Sequence, residues 1–385
     1  MRAERVFSSR LAFTLTELLA AIGIIGILLA LLISAVQKVR EAANVVNCAS
    51  NLRNIGLAFR MISKDGKGFP TGGGDVTIPY MDTPDPAFAT PRTFADGPVA
   101  WTGPGSKPAQ RQGQDWGWAY QILPYIDGQN TWAITQGQNM SGSIGSDYFT
   151  SGAQATFRVY ACPSRRTAAV VDAGGGWGRR ATIDYAGNGG PYAIVSASGQ
   201  TQNYKVVHPT PKKNAIPSPP LFGALIKSAS WYPPPINRWS FGLNVSDSDL
   251  TDGASNTLLV SEKRVPYYDW TGRLMDPSTQ VGDQIGYTCG FFPDTIRTGF
   301  DYPAGDWKGS AAGQIYPYTV GADQFGSSHP AGINCLFCDG SVRMVSYQLS
   351  IAWNLRLNHC SKRAKRPGLR CSAWLMSRTR MNLAQ

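Results

Sequence analysis

Leu18-Leu19-Ala20-Ala21-Ile22-Gly23-Ile24-Ile25-Gly26-Ile27-Leu28-Leu29-Ala30-Leu31-Leu32-Ile33-Ser34-Ala35-Val36 is an uncharged run of 19 residues near the start of a 385-residue chain. As a helix rising about 1.5 Å per residue, it reaches across about 30 Å of hydrocarbon. Arg2, Arg5 and Arg10 precede it, a leader that the positive-inside bias keeps in the cytoplasm. A secretory signal has a shorter apolar core, about 7–15 residues, followed by a small-residue cleavage site. Here a helical pattern runs on instead. Val39, Ala42, Val46, Ala49, Leu52, Ile55, Phe59 and Ile62 recur every three or four residues, with Arg40, Asn47, Asn51 and Arg53 off that stripe. Residues 13–62 therefore read as one helix of about 75 Å, its first half suited to lipid and its second half to packing on a globular head.

From about residue 63 the texture changes. Residues 64–115 hold Gly72-Gly73-Gly74, repeated Pro and few apolar runs, and read as irregular. Short apolar runs follow, separated by Gly, Pro, Asn and Asp: Phe157–Ala161, Ala168–Val171, Tyr192–Ser196, Leu221–Ile226, Thr257–Ser261, Ile333–Cys338 and Val342–Ser346. These predict strands and a sheet-rich head over residues 63–347. The fold class is α+β, a long N-terminal helix on a β-rich head.

The net charge of +11 is not spread over this body. Residues 1–60 carry 7 Lys/Arg against 3 Asp/Glu, residues 61–339 carry 20 against 22, and residues 340–385 carry 9 against none. A near-neutral body with basic ends argues against a nucleic-acid binder. Charged residues at 16% and 42 aromatic residues exclude a highly charged disordered chain.

Glu17 sits at the edge of the apolar run, where an unpaired carboxylate in lipid costs several kcal/mol and calls for a cation or a headgroup-level position. Ala12-Phe13-Thr14-Leu15-Thr16-Glu17 with the run behind it resembles the leader of type IV prepilins and pseudopilins. The resemblance implies cleavage by a membrane prepilin peptidase between Ala12 and Phe13, and N-methylation of Phe13. It also implies that Glu17, fifth in the mature chain, sets filament registry by pairing with a neighbouring subunit's terminal amine. Ala12 stands where that family prefers Gly.

Further pieces recur along the chain. They are Val39-Arg40-Glu41-Ala42-Ala43 leading to Cys48 and Asn51-Leu52-Arg53; Leu123-Pro124-Tyr125-Ile126; Tyr160-Ala161-Cys162-Pro163-Ser164; and Asp184-Tyr185-Ala186-Gly187-Asn188. Thr251-Asp252-Gly253-Ala254-Ser255-Asn256-Thr257 follows, then Ser328-His329-Pro330 through Cys338-Asp339-Gly340-Ser341-Val342, in which nine residues separate His329 from Asp339. In this order they resemble pilin-like bacterial proteins carrying the prepilin-processing-associated H-X9-DG domain, a domain of unknown function.

The residues themselves argue little chemistry. If the chain between them is extended, His329 and Asp339 lie roughly 30 Å apart, so they form no dyad. Asp339-Gly340 between two apolar runs predicts a type I′ hairpin turn, and His329 reads as a loop-holding residue with no acid or nucleophile placed near it by sequence. Asp247, Asp249 and Asp252 resemble a calcium loop, but Thr251 at position 5 and Asp252 at position 6 break the EF-hand pattern, leaving only an irregular calcium site open. Cys335 and Cys338 point to opposite faces of a strand, which disfavours shared metal ligation, and Cys360, Cys371 and His359 complete a zinc site only if the tail folds back. Cys48 and Cys162 either bridge helix to head in an oxidising exterior or remain buried thiols. No cofactor and no metal-ligand set follows from spacing, and no hydrolase, Walker or dinucleotide motif is present.

The sequence thus predicts a non-enzymatic, prepilin-like structural protein. Its partners are a prepilin peptidase/methylase, other pilin-like subunits and the membrane, with no nucleic acid. It is expected in the bacterial inner membrane as a single-pass precursor with its head outside the cytoplasm, then in the periplasm or at the cell surface, serving a type II secretion or type IV pilus-like system. The alternative is an anchored surface binding protein that never polymerises, glycan-binding through aromatics such as Trp116, Trp118, Trp132, Trp231 and Trp239. Residues 348–385 depart from the family-like ending, and read either as a basic tail for acidic surfaces or as an altered reading frame.

Overall fold

The structure, a computed structural model, describes residues 14–64, 68–73, 117–134, 154–172, 179–189, 193–196, 204–207, 224–225, 229–232, 238–241, 245–250, 253–265, 283, 286–288, 290, 294–297, 303–306 and 324–347. The chain divides into two compact units, Met1–Val46 and Asn47–Gln385. The expected apolar helix and sheet-rich head are both present, and the fold is α+β.

Helix α1 runs unbroken over Leu15–Ser63, 49 residues with no proline to interrupt it. Its start is a capping box. The Glu17 backbone N–H donates to Thr14 Oγ1 at 3.3 Å, and the Thr14 N–H donates to Glu17 Oε2 at 2.9 Å. Leu18, Ile22, Ile25, Leu29, Leu32 and Val36 are all exposed. The buried stripe begins only at Cys48 and continues through Leu52, Ile55, Phe59 and Ile62. Val39 and Val46, expected on that stripe, are exposed because they precede the compact unit that opens at Asn47.

Within that unit a five-stranded sheet carries the core. Its strands are β1 (Tyr185–Asn188), β2 (Leu258–Glu262), β3 (Ile296–Arg297), β4 (Gly332–Phe337) and β5 (Val342–Ser346), in the order β5-β4-β2-β1-β3. Neighbours are antiparallel except the β1–β3 pair. Side-chain alternation divides the two faces. Val260, Leu336 and Cys338 join Leu52, Ile55, Phe59, Trp118 and Tyr160 in the larger core, while Ile333, Cys335 and Phe337 join Ala186, Phe325 and Val345 in a smaller one. Cys335 and Cys338 thus face opposite ways, as the strand period requires.

One expected strand is otherwise, and so is the described part of a second. Phe157–Ala161 contains the 3-10 turn Arg158–Tyr160, because Tyr160 N–H bonds Phe157 O and Ala161 N–H bonds Arg158 O, satisfying the backbone locally. Of Leu221–Ile226, the described Ala224 and Leu225 form a bend. The other runs contain strands, among them Val170–Asp172, paired with Arg179–Ala181, and Ala193–Ser196, paired with Tyr204–Val207.

The hairpin turn also differs from expectation. Gly340 N–H bonds Phe337 O, Phe337 N–H bonds Ser341 O, and Gly340 alone takes a positive φ of 84°. That is a three-residue loop, a type I turn closed by a glycine bulge, whereas type I′ needs positive φ at Asp339 as well.

Candidate functional site

Four side chains from four separate elements meet beneath α1. Cys48 comes from the first buried turn of the helix, Cys162 from the loop after the 3-10 turn, Glu262 from the last residue of β2, and His329 from the loop leading into β4. Their donor atoms lie within 4.8 Å of one another, and all four residues are buried. His329 Nε2 is 3.1 Å from Glu262 Oε1 and 3.8 Å from Cys162 Sγ, and the Cys48 thiol donates to Cys162 Sγ across 3.2 Å. Both cysteines are free thiols. Sequence placed no acid or nucleophile near His329. The fold does, since β2 places Glu262 on the same sheet face as Val260, toward the helix.

Surrounding groups fix this arrangement. Asn334 N–H donates to Glu262 Oε2 at 2.8 Å, Asp184 Oδ2 accepts the Cys162 N–H at 2.8 Å, and Ser327 Oγ accepts the His329 N–H at 3.2 Å. Asn51, next to Cys48 on the helix surface, donates to Ala161 O at 3.1 Å and to the Tyr185 hydroxyl at 3.2 Å. The electrostatics are those of a coupled set. Burial alone lowers the basicity of His329, but its hydrogen bonds with Cys162 and Glu262 push it up to about 11. The hydrogen bond from Cys48, helped by His329, lowers Cys162 against burial, while Cys48 itself is pushed up.

A buried ion network adjoins the cluster. Arg165 forms a fork on Asp306 (Nε to Oδ2 2.8 Å, Nη2 to Oδ1 3.1 Å) and reaches Asp184 Oδ1 at 3.1 Å. Arg166 bridges Asp184 and Asp283, each at 2.5 Å, and Lys263 Nζ meets Asp283 Oδ1 at 2.7 Å. Cations and carboxylates alternate, so each buried charge has an opposite neighbour. The network and the cluster share two short segments, Cys162–Arg166 and Glu262–Lys263.

Comparison with known proteins finds a family model described as "Protein of unknown function (DUF1559)" matching residues 37–351. The chain belongs to the DUF1559 family. No curated protein and no solved structure matches it. All four clustered residues lie inside the matched span, whereas residues 1–36 precede it.

The DUF1559 domain separates the two halves of H-X9-DG. His329 enters the buried cluster, while Asp339 and Gly340 shape the β4–β5 loop, where Asp339 Oδ1 accepts the Ser341 N–H at 2.8 Å. That loop is pinned to the other DG segment: Cys338 N–H bonds Thr257 O and Asp339 N–H bonds Ala254 O. Gly253 precedes this 3-10 turn with φ 86°, and Asp252 lies outside the described residues. Asp247 pairs with Arg60 at 3.0 Å, and Asp249 accepts from Ser246 in a capping box. Trp118 is fully buried and its Nε1 donates to Thr295 O, so it is core rather than a surface for sugars; Trp132 is half-buried. Trp231 and Trp239 are backbone partners in a hairpin. Trp116, Ala12, Phe13, His359, Cys360, Cys371 and the tail from residue 348 lie outside the described residues.

Sequence reading missed Glu262, Arg165, Arg166 and Lys263. One signal was legible: Ser261-Glu262-Lys263-Arg264 interrupts an apolar strand with three consecutive charges, which a buried strand tolerates only when each finds a partner.

Proposed function

We propose that this DUF1559 chain is a non-enzymatic, prepilin-like envelope protein. It is cut before Phe13, methylated there, held in the membrane by Leu18–Val36, and assembled through that helix with pilin-like subunits, its head outside the cytoplasm. The observation that carries the reading is the single helix α1. It is long and apolar enough to cross a membrane, and the apolar stretch is wholly exposed while the buried stripe starts at Cys48. Exposed side chains of this kind cost about 25 cal/mol per Å² in water, so they call for lipid or neighbouring helices.

Glu17 supports the same reading with one refinement. Within the single chain its carboxylate caps α1, so removing it outright would confound capping with subunit pairing. Glu17→Gln keeps an acceptor for the Thr14 N–H and removes only the charge. Under the proposal, the mature chain begins at methylated Phe13 by mass spectrometry, and Glu17→Gln abolishes incorporation into filaments or pseudopili while preserving membrane insertion. An intact leader sinks the proposal. Unchanged incorporation of Glu17→Gln removes the registry role, and anchoring without any assembly leaves the chain a membrane-bound binding protein.

A further inference from the structure

We infer that Cys48, Cys162, His329 and Glu262 form a tetrahedral zinc site that fastens the buried end of α1 to the sheet. The proposal does not depend on the prepilin reading, because all four residues lie in the unit Asn47–Gln385.

The geometry carries it. Zinc bonds thiolate sulfur at about 2.3 Å, and imidazole nitrogen and carboxylate oxygen at about 2.0–2.1 Å, so a tetrahedron has S–S, S–N and N–O edges of about 3.8, 3.6 and 3.3 Å. The corresponding separations are 3.2 Å for Cys48–Cys162, 3.8 Å for Cys162–His329 and 3.1 Å for His329–Glu262. Two of these edges are within about 0.2 Å of the tetrahedral values and the third is about 0.6 Å short, and all four donor atoms lie within 4.8 Å of one another. A single proton on Nε2 points along one line only, yet this nitrogen faces both a sulfur and a carboxylate oxygen. A lone pair aimed at a common centre satisfies both directions. Two thiolates, an imidazole and one carboxylate suit zinc among the divalent metals.

The supporting shell is of the kind metal ligands have. Asn334 orients Glu262 from its far oxygen, Asp184 holds the Cys162 backbone, and Ser327 holds that of His329. Binding would release the Cys48 and Cys162 thiol protons, and any proton on His329 Nε2, to solvent. Two thiolates, one carboxylate and Zn²⁺ leave one net negative charge, and Arg165, whose charge acts on Cys162, lies beside it. Complete burial argues against the same residues serving as a cysteine nucleophile with its base, since no substrate reaches the sulfur.

The test uses the full-length chain in detergent, purified without chelator. Elemental analysis should find about one zinc per chain, and cobalt replacing it should give the intense absorption of tetrahedral cobalt–thiolate bonds. Cys48→Ser with Cys162→Ser should abolish that absorption, whereas Cys335→Ser, an equally buried thiol outside the cluster, should leave it intact. His329→Ala should weaken zinc binding at least tenfold with an unchanged circular dichroism spectrum. If the double variant does not fold, thiol titration of the native chain decides instead. Zinc removal should then expose two further reactive thiols. Absence of stoichiometric zinc, or an intact mass two hydrogens short that maps to a Cys48–Cys162 bond, overturns the proposal.

Discussion

Truncating Phe59 should unfasten α1 from the head, and truncating its neighbour Leu57 should not. Phe59 is fully buried, its ring centroid 5.6 Å from that of Trp118 and 6.3 Å from that of Phe69. An aromatic side chain buries about 150–250 Å², which at about 25 cal/mol per Å² is roughly 4–6 kcal/mol. The methyl that alanine keeps returns about 1 kcal/mol of this, leaving about 3–5 kcal/mol for Phe59→Ala, the range found for buried aromatic truncations. Leu57 is 63% exposed, so Leu57→Ala should cost under about 0.5 kcal/mol. The difference is about two to three decades in the folding equilibrium. Urea unfolding of the detergent-solubilised chain, followed by tryptophan fluorescence, measures both variants. Equal losses, or a Phe59→Ala loss under about 1 kcal/mol, would refute the assignment of the helix face that meets the sheet.

Gly286 has φ 76°, and a Cβ there would stand 2.1 Å from the Ala181 carbonyl oxygen, so Gly286→Ala should cost more than about 2 kcal/mol in the same assay; a neutral result would show that this turn is free to move. Arg165→Met strips the fork from Asp306 and leaves that buried carboxylate without its paired cation while Asp184 keeps Arg166, an expected loss of about 3–5 kcal/mol that a thermal melt would show as a clear drop; an unchanged melt would mean the network is solvated. Burial pushes the Asp283 carboxyl up, but Arg166 and Lys263 outweigh it and hold it at about 2, below the ordinary 3.8. Its folded value is depressed, so the stability of about 2 kcal/mol from its ionised form is complete above about pH 5 and fades as pH falls through about 2. The gap in unfolding free energy between wild type and Asp283→Asn should therefore narrow between pH 5 and pH 2, and a gap constant with pH would contradict the assigned partners.

How far the sequence reached follows from how local each signal was. Helix α1 was legible because the uncharged run and the three-to-four-residue stripe need only neighbours in sequence, and Leu52, Ile55, Phe59 and Ile62 are buried as the stripe implied. The strands around Leu258, Ile333 and Val342 were legible for the same reason, with limits correct to a residue or so. Phe157–Ala161 misled because aromatic and β-branched composition suits a strand while Tyr160 is held by tertiary contact, its hydroxyl donating to Ala119 O at 2.6 Å. Thr14-x-x-Glu17 was a capping signature in plain view, obscured by the stronger membrane context. The cluster was not legible at all. Its members stand at positions 48, 162, 262 and 329, and only the β2–β4 pairing with α1 across one sheet face brings them together.

That last point bears on what H-X9-DG encodes. A histidine nine residues before an Asp-Gly pair suggests one site, yet the interval is strand β4 itself, Gly332–Phe337, with its approach and its turn. At the near end His329 turns inward to Cys162 and Glu262. At the far end Gly340 supplies the positive φ that closes the loop, and the Cys338 and Asp339 N–H groups tie that loop to the 3-10 turn before β2. Since β2 also carries Glu262 at its other end, β2 and β4 form a rigid antiparallel pair held at one end by turns and at the other by the cluster. Lengthening β4 by one residue would leave both ends chemically intact but flip the faces on one side of the insertion, carrying either Leu336 off the helix side or His329 out of register with Glu262. In this chain the nine-residue spacing is thus a statement about sheet register, and the histidine and the Asp-Gly pair need never touch to depend on it.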